Sequence, residues 1–281
     1  MENINSCTTL NNGVKMPWLG FGTYKIEDGS TVTESVKEAL RIGYRHIDTA
    51  SLYNNEEGIG IALKESGIER KEIFLVSKVW NSDQGYEKTL NAFETSLKKL
   101  QTDYLDLYLI HWPQLLNKET WRALEKLYKE GRVRAIGVCN FKESHLRDLM
   151  EDAEIPPMVN QVEFHPYLIQ NDLLDFCKDN NIQLEAWSPL MRGNILKVDL
   201  LQELAKKYGK TVSQIVLRWD LQKGIVTIPK STTPARIKEN TDIFDFELSE
   251  EDMDKIQQLD QGLRFGKDPD NVYANPDIFN K

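Results

Sequence analysis

The sequence predicts an α/β fold, a (β/α)8 (TIM) barrel forming a single domain over residues 1–281, and three observations carry that expectation. Short runs rich in β-branched and aromatic residues recur eight times along the chain. An amphipathic helical stretch follows each run, which calls for parallel strands joined by right-handed crossovers. No Pro/Gly/Ser-rich linker divides the chain, and eight such units in 281 residues fit a closed barrel, typically ~250 residues long.

The elements follow in order. In "TTLNNGVKMP", Asn12-Gly13 lies between short apolar runs and reads as a two-residue hairpin turn, both central residues tolerating positive φ. The eight strand runs are Trp18–Phe21, Arg45–Asp48, Ile73–Ser77, Leu105–Ile110, Val133–Val138, Met158–Glu163, Gln183–Trp187 and Ile225–Ile228. In "TVTESVKEALRIG", Val32, Val36, Ala39 and Leu40 keep helical spacing and Gly43 supplies the stop. Lys118–Glu130 before Gly131 repeats the pattern, with Leu124 and Leu127 set against charged neighbours. The rival architecture is an open doubly wound sheet, which would carry G-x-G-x-x-G opening a helix directly after a strand. The nearest match, "GIGIAL" at Gly58, has leucine in the sixth position and lies inside a helix ten residues past Asp48. It does not fit.

Composition narrows the partners. At 40% hydrophobic residues the chain can bury a large core, and a domain near this size buries about three-quarters of its unfolded surface. A net charge of −9 argues against nucleic acid or anionic membrane as a general partner, so an anionic ligand must meet a local basic pocket. No apolar run approaches the ~18 residues of a membrane span, and the polar N-terminus shows no signal peptide. Cys7, Cys139 and Cys177 are odd in number and form no C-x-x-C pair, which suits a reducing compartment. A cytoplasmic, monomeric protein is the expectation. Its four histidines (His46, His111, His145, His165) lack H-x-x-x-H or H-x-H spacing, so no metal is expected.

Barrel enzymes build their sites where strands reach the C-terminal face. Here the exits carry Gly22, Thr23 and Tyr24, then Asp48, Lys78, His111, Asn140, Gln161, Trp187, and finally Lys230 and Arg236. Singly, most have an ordinary explanation: Asp48 as a helix cap, Tyr53 as a surface-to-core tyrosine, Lys78 at the rim, His111 as a satisfied core histidine. Together, Asp48, Tyr53, Lys78 and His111 put four proton-bearing groups on one face, and chemistry becomes the better account. A tyrosine titrates near 10, and an ammonium nearby can lower that by ~1–3 units. Asp48 would keep Lys78 charged, and His111 would orient a substrate oxygen. The set reads as a tuned phenol that protonates a developing alkoxide, a role contributing roughly 10²–10⁴-fold. Such an alkoxide forms when hydride from a cofactor attacks a carbonyl.

The cofactor reading rests on other residues. Trp187 offers a flat face for a nicotinamide, and Asn140 and Gln161 are amides placed to hold its carboxamide, although Asn140 taken alone reads better as a turn former. Lys230 and Arg236, six residues apart around a helix start, would bracket a phosphate, with Ser231, Thr232, Thr233 and the helix N-terminus adding donors. That clamp suits the 2′-phosphate of NADP(H) better than the bare ribose of NAD.

The motifs "GYRHIDTASLYNNEEGIG", "LYLIHWP", "GVCNF", "NQVEFHP", "AWSPL" and "IPKSTTPARIKEN", in this order, resemble those of the aldo-keto reductases over nearly the whole chain. The pattern looks most like small bacterial members that reduce glyoxal, methylglyoxal or diketogluconate-type carbonyls. The resemblance implies a catalytic tetrad of Asp48, Tyr53, Lys78 and His111, with Tyr53 as proton donor. It implies an NADPH pocket of Gly22, Thr23, Asn140, Gln161, Trp187, Ser188, Leu190, Lys230, Ser231, Thr233, Arg236, Glu239 and Asn240. It also implies that the hairpin around Asn12-Gly13 closes the bottom of the barrel. Tyr24, Trp80 and Trp112, with His111, are then the walls of an apolar cup for a small-molecule carbonyl substrate.

The chain departs from the family pattern at Cys139, where a serine is usual, at Tyr24, where tryptophan is common, and at Trp187, where tyrosine is frequent. A thiol bonds a carboxamide more weakly than a hydroxyl does. The tail after Gln261 is short and polar, which implies an open, permissive cup. Two other functions compete: a Schiff-base aldolase using Lys78 or Lys230, and an NADPH-holding redox sensor with little turnover.

Overall fold

A computed structural model of the chain describes residues 1–275 and 279. Two antiparallel strands open it, β1 (Cys7–Thr9) and β2 (Lys15–Pro17). Eight parallel strands follow in a sheet whose spatial order is the chain order: β3 (Phe21–Gly22), β4 (His46–Asp48), β5 (Phe74–Val79), β6 (Leu105–Ile110), β7 (Val133–Cys139), β8 (Val159–Glu163), β9 (Gln183–Trp187) and β10 (Val226–Thr227). Both faces of these strands are covered, so they read as near-continuous apolar runs. Leu75, Val76, Leu107, Leu109, Ile136 and Val138 are fully buried.

The sheet closes on itself. Leu19 bridges Thr227 in parallel, with the Gly20 N–H donating to Thr227 O at 2.9 Å and the Gly22 N–H to Pro229 O at 3.1 Å. At this seam β3 and β10 are two residues each, shorter than the runs Trp18–Phe21 and Ile225–Ile228 predict. Pro229 has no N–H to extend the ladder. Gly20 is packed so closely that a Cβ there would lie 2.7 Å from both His46 and Ile228.

The helices answer to their spacing. Helix α1 (Ser30–Ile42) buries Val32, Val36, Ala39 and Leu40 and stops at Gly43, whose φ is +123°. The "GIGIAL" stretch sits inside α2 (Glu56–Glu65), and there the glycines serve packing. A Cβ on Gly60 would lie 2.5 Å from Lys99 O, in the neighbouring helix α3 (Tyr86–Leu100). Helix α4 (Asn117–Lys129) ends before Gly131, as its pattern predicts.

The N-terminal hairpin caps the end of the barrel opposite the strand exits. Thr8 donates to the Gln183 side chain at 2.9 Å, Asn11 to Pro157 O at 3.2 Å and Asn12 to Arg134 O at 2.9 Å, all where strands begin. Its turn differs from the expected two-residue type. Leu10 N–H reaches Val14 O and Gly13 N–H reaches Leu10 O, and Gly13 alone of the pair takes positive φ, at +88°. That is a three-residue connection ending in a left-handed glycine, in which Asn12 accepts from the Val14 N–H at 3.1 Å while its amide nitrogen reaches the barrel. No helix among the described residues is long and apolar enough to cross a membrane.

Candidate active site

The barrel brings the four proton-bearing residues to one mouth. Asp48 is the last residue of β4, Lys78 lies near the end of β5, and His111 directly follows β6. Strand register sets Asp48 beside Val76 and Lys78 beside Leu109, so neighbouring strands deliver their side chains at matching depth. Tyr53 arrives by a different route. After Asp48 the chain makes a single 3-10 turn, Ser51–Tyr53, ended by Asn54 at φ +53°. Asn55 pins that turn: its amide donates to Thr23 O and Ile26 O, each at 3.0 Å, and accepts from Thr49 Oγ1 at 2.9 Å. A dipole-rich loop held this way has little freedom to misplace the phenol.

Lys78 is wholly buried, not a rim residue, and Asp48 is nearly so. Nζ of Lys78 donates to both Asp48 oxygens at 2.8 Å and to Thr49 O at 2.9 Å, and stands 3.5 Å from the Tyr53 hydroxyl. Burial alone would discharge the ammonium, but the Asp48 carboxylate outweighs it and raises the Lys78 pKa. A lysine held charged offers no neutral amine, which removes Lys78 as a Schiff-base nucleophile.

Tyr53 differs from the sequence expectation. Burial pushes its hydroxyl above the ordinary value, and the opposing pull of Lys78 does not compensate. Physically, the ammonium's charge is already committed to Asp48, at shorter range than to Tyr53. The phenol is therefore held protonated. His111 is pushed well below its usual value by burial and then by Lys78, so its ring is neutral. Its Nδ1 has no hydrogen-bond partner among the described residues. Its ring meets Tyr53 edge-on at 5.6 Å and Trp80 at 5.1 Å, and Tyr53 also meets Tyr24 at 5.0 Å.

The amide pair and the indole lie beside this cluster as one bonded group. Asn140 adopts φ +65°, confirming its turn role, but its side chain is also engaged. Nδ2 donates to His111 O at 3.0 Å and to Cys139 Sγ at 3.1 Å, while Oδ1 accepts from the Trp187 indole at 2.8 Å. Gln161 Nε2 donates to Asp48 at 2.8 Å. Ser188, directly after Trp187, takes φ +52°, and Leu190 packs half-buried beyond it.

The strand-eight cluster lies farther out. Gly22 touches this end of the barrel, and a Cβ on it would lie 2.8 Å from Ile228 O. Thr23 is buried and donates to Asp48 O at 2.8 Å. Lys230 and Arg236 are exposed, and neither forms an ion pair among the described residues. The helix that follows, Pro234–Glu239, gives less than the sequence promises. Proline at its first position has no N–H, and the Thr233 amide donates to Ser231 Oγ at 3.1 Å. Glu239 accepts from Thr211 at 2.9 Å, and Asn240 is buried below.

The tail overturns one expectation. It does not leave the cup open. The Glu163 carboxylate accepts from the Phe265 N–H at 2.6 Å and the Gly266 N–H at 3.1 Å, strapping the tail across the mouth. Gly266 lies so close to Trp187 that a Cβ would stand 2.4 Å from the ring. Farther on, the ring of Phe279 packs 5.2 Å from Trp80 and 5.3 Å from Trp112, adding a fourth aromatic wall to Tyr24, Trp80 and Trp112. A "short and polar" average concealed one phenylalanine in the tail, and the carboxylate that holds the tail belongs to a distant strand. Glu163, Gly266, Phe279, Glu185 and His46 all escaped the sequence reading. For Glu185 a signal exists: an ionisable residue in the middle of an apolar strand, level with Gln161.

The sequence model described as "Aldo/keto reductase family" matches residues 18–261. The chain is 62% identical to the glyoxal reductase of Bacillus subtilis (strain 168), over 94% of this chain and 96% of that protein. It is 45% identical to the methylglyoxal reductase DkgA of Escherichia coli (strain K12), over 93% of this chain and 96% of that one. A mutant of Gox0644 solved in complex with NADPH superposes with a TM-score of 0.90 at 43% identity, covering 94% of this chain and 97% of that one.

Proposed function

Because this chain belongs to the aldo/keto reductase family, we propose that it is an NADPH-dependent reductase that converts small aldehydes and activated ketones, glyoxal and methylglyoxal among them, to alcohols. The names of its relatives and the NADPH complex of a structural neighbour support this reading. So does the donor set. Trp187 presents an indole face, Gln161 keeps a carbonyl oxygen available, and Lys230 and Arg236 are exposed cations on one loop and helix. These residues suit a flat carboxamide-bearing ring at one end of a dinucleotide and a phosphate at the other.

NADPH, when bound, supplies a hydride to the carbonyl carbon. The chain's own part is to place and protonate the oxygen. His111, neutral and beside the phenol, orients that oxygen. Tyr53 gives it the proton from its hydroxyl, and the Lys78–Asp48 pair stabilises the phenolate left behind. Tyr24, Trp80, Trp112 and Phe279 exclude water and admit a small apolar-faced carbonyl.

One observation carries this reading: a phenol held protonated stands 3.5 Å from a wholly buried ammonium, with a neutral imidazole at its edge. Loss of NADPH absorbance with methylglyoxal tests it, comparing wild type with Tyr53→Phe. The expected result is turnover in the wild type and a loss of at least 10²-fold in the variant. Turnover that survives in Tyr53→Phe would mean that the proton comes from elsewhere.

A further inference from the structure

We propose that Glu185 is a positioning residue that locks the side-chain amide of Gln161, so that Gln161 turns its carbonyl oxygen toward the N–H of the nicotinamide carboxamide. The proposal rests on the cofactor reading above. Register across β8 and β9 sets Gln161 directly beside Glu185, and both are buried. Gln161 Nε2 donates to Asp48 Oδ2 at 2.8 Å and to Glu185 Oε2 at 2.8 Å. An amide nitrogen has two hydrogens, and both are used. What Gln161 has left to offer is Oε1, whose neighbour is the Cys139 thiol at 3.6 Å. Turning the amide over would set that oxygen against Asp48 Oδ2 and Glu185 Oε2, all three residues being buried, and unpaired buried acceptors are costly.

On its other side, Glu185 Oε1 lies 3.4 Å from His46 Nε2 without a hydrogen bond between them, and His46 Nδ1 faces Pro17 O at 3.4 Å. Burial lowers His46 to about 4 and raises Glu185. A neutral Glu185 offers Gln161 an oxygen without adding a second anion beside Asp48. The lock matters in this chain because Cys139 is a weak donor, and Asn140 has committed its own oxygen to Trp187. Gln161 is left to select for the carboxamide.

The experiment is a titration of tryptophan fluorescence with three ligands: NADPH, its 3-acetylpyridine analogue (a methyl ketone in place of the carboxamide), and 2′,5′-ADP, which reports on the adenosine half alone. Wild type should favour NADPH over the analogue. Glu185→Gln should keep that ratio, because its amide offers an oxygen to Gln161 and an N–H to His46. Glu185→Leu should cut the ratio about three- to tenfold, the worth of one hydrogen bond, with 2′,5′-ADP binding unchanged. An unchanged ratio in Glu185→Leu overturns the proposal, as does an equal loss for all three ligands. Wild type that binds 2′,5′-ADP but shows no preference for NADPH over the analogue also overturns it. Wild type that binds none of the three overturns the cofactor reading itself, and this proposal with it.

Discussion

Lys78 holds both carboxylate oxygens of Asp48 at 2.8 Å, in a place where neither residue meets solvent to any useful extent. A pair of that kind resists removal of one partner far more than removal of both. Breaking a buried pair costs about 3–5 kcal/mol, because an uncompensated charge remains. Lys78→Met and Asp48→Asn should each destabilise the fold on that scale. The double variant should be more stable than the sum of the two losses allows, which a double-mutant cycle in urea reads directly. Strict additivity would mean that the two charges do not depend on each other.

The protonation states make a second prediction. Burial holds Tyr53 protonated above its ordinary value, and His111 neutral well below its own. A donor whose pKa is raised stays competent as pH rises, and an imidazole whose pKa is lowered stays neutral as pH falls. For the free enzyme kcat/KM for methylglyoxal reduction should therefore be flat between about pH 6 and pH 9. A fall on the alkaline side near pH 8 would show that Tyr53 is tuned downward after all.

Arg236 and Lys230 stand exposed beyond strand β10, on the segment expected to meet the adenosine phosphate. Arg236→Ala should weaken NADPH binding roughly tenfold or more, a charge-assisted contact being worth about 1.5–3 kcal/mol, while NADH binding stays within twofold. Dissociation constants for the two cofactors measure this. Equal losses would remove the 2′-phosphate from that position.

Gly266 meets the Trp187 ring where no Cβ can fit, at 2.4 Å. Gly266→Ala must displace either the strap or the indole, so it should raise the KM for NADPH several-fold with little effect on thermal stability. An unchanged KM would mean that the strap gives way and the ring does not.

Phe279 fills the space between Trp80 and Trp112. Phe279→Ala should leave methylglyoxal turnover within about twofold and raise kcat/KM for bulkier aromatic aldehydes by ~10-fold, since even one methylene in an apolar pocket is worth about 1–3 kcal/mol. Assays with benzaldehyde against methylglyoxal would show it. A parallel change in both would make Phe279 a structural residue only.

Much of this molecule is legible along the chain. Six of the eight parallel strands lie where the apolar runs put them, because parallel strands covered on both faces must be apolar throughout, and the two at the seam are shorter. The strand exits could be recognised because polar residues interrupt those runs at the same point in each unit. Asp48, Lys78 and His111 are local in that sense: each lies at, one residue before, or directly after the end of its own strand. Turn chemistry was less secure. Asn12-Gly13 marked a hairpin, yet the connection carries one more residue, with Asn12 accepting from the Val14 N–H inside the turn and donating to Arg134 O in the barrel.

What the sequence could determine by itself was the periodicity of its elements and the identity of the groups at their ends, since both are properties of neighbours along the chain. What only the tertiary structure decided were relations between distant segments. Glu163 meets the backbone of residues 265 and 266, Phe279 enters the cup between Trp80 and Trp112, and Glu185 shares Gln161 with Asp48. The tuning of Tyr53 belongs there too. Its sign depends on whether Lys78 still has charge to lend once Asp48 has claimed it, and that is a balance of distances and burial that arises only when the barrel closes.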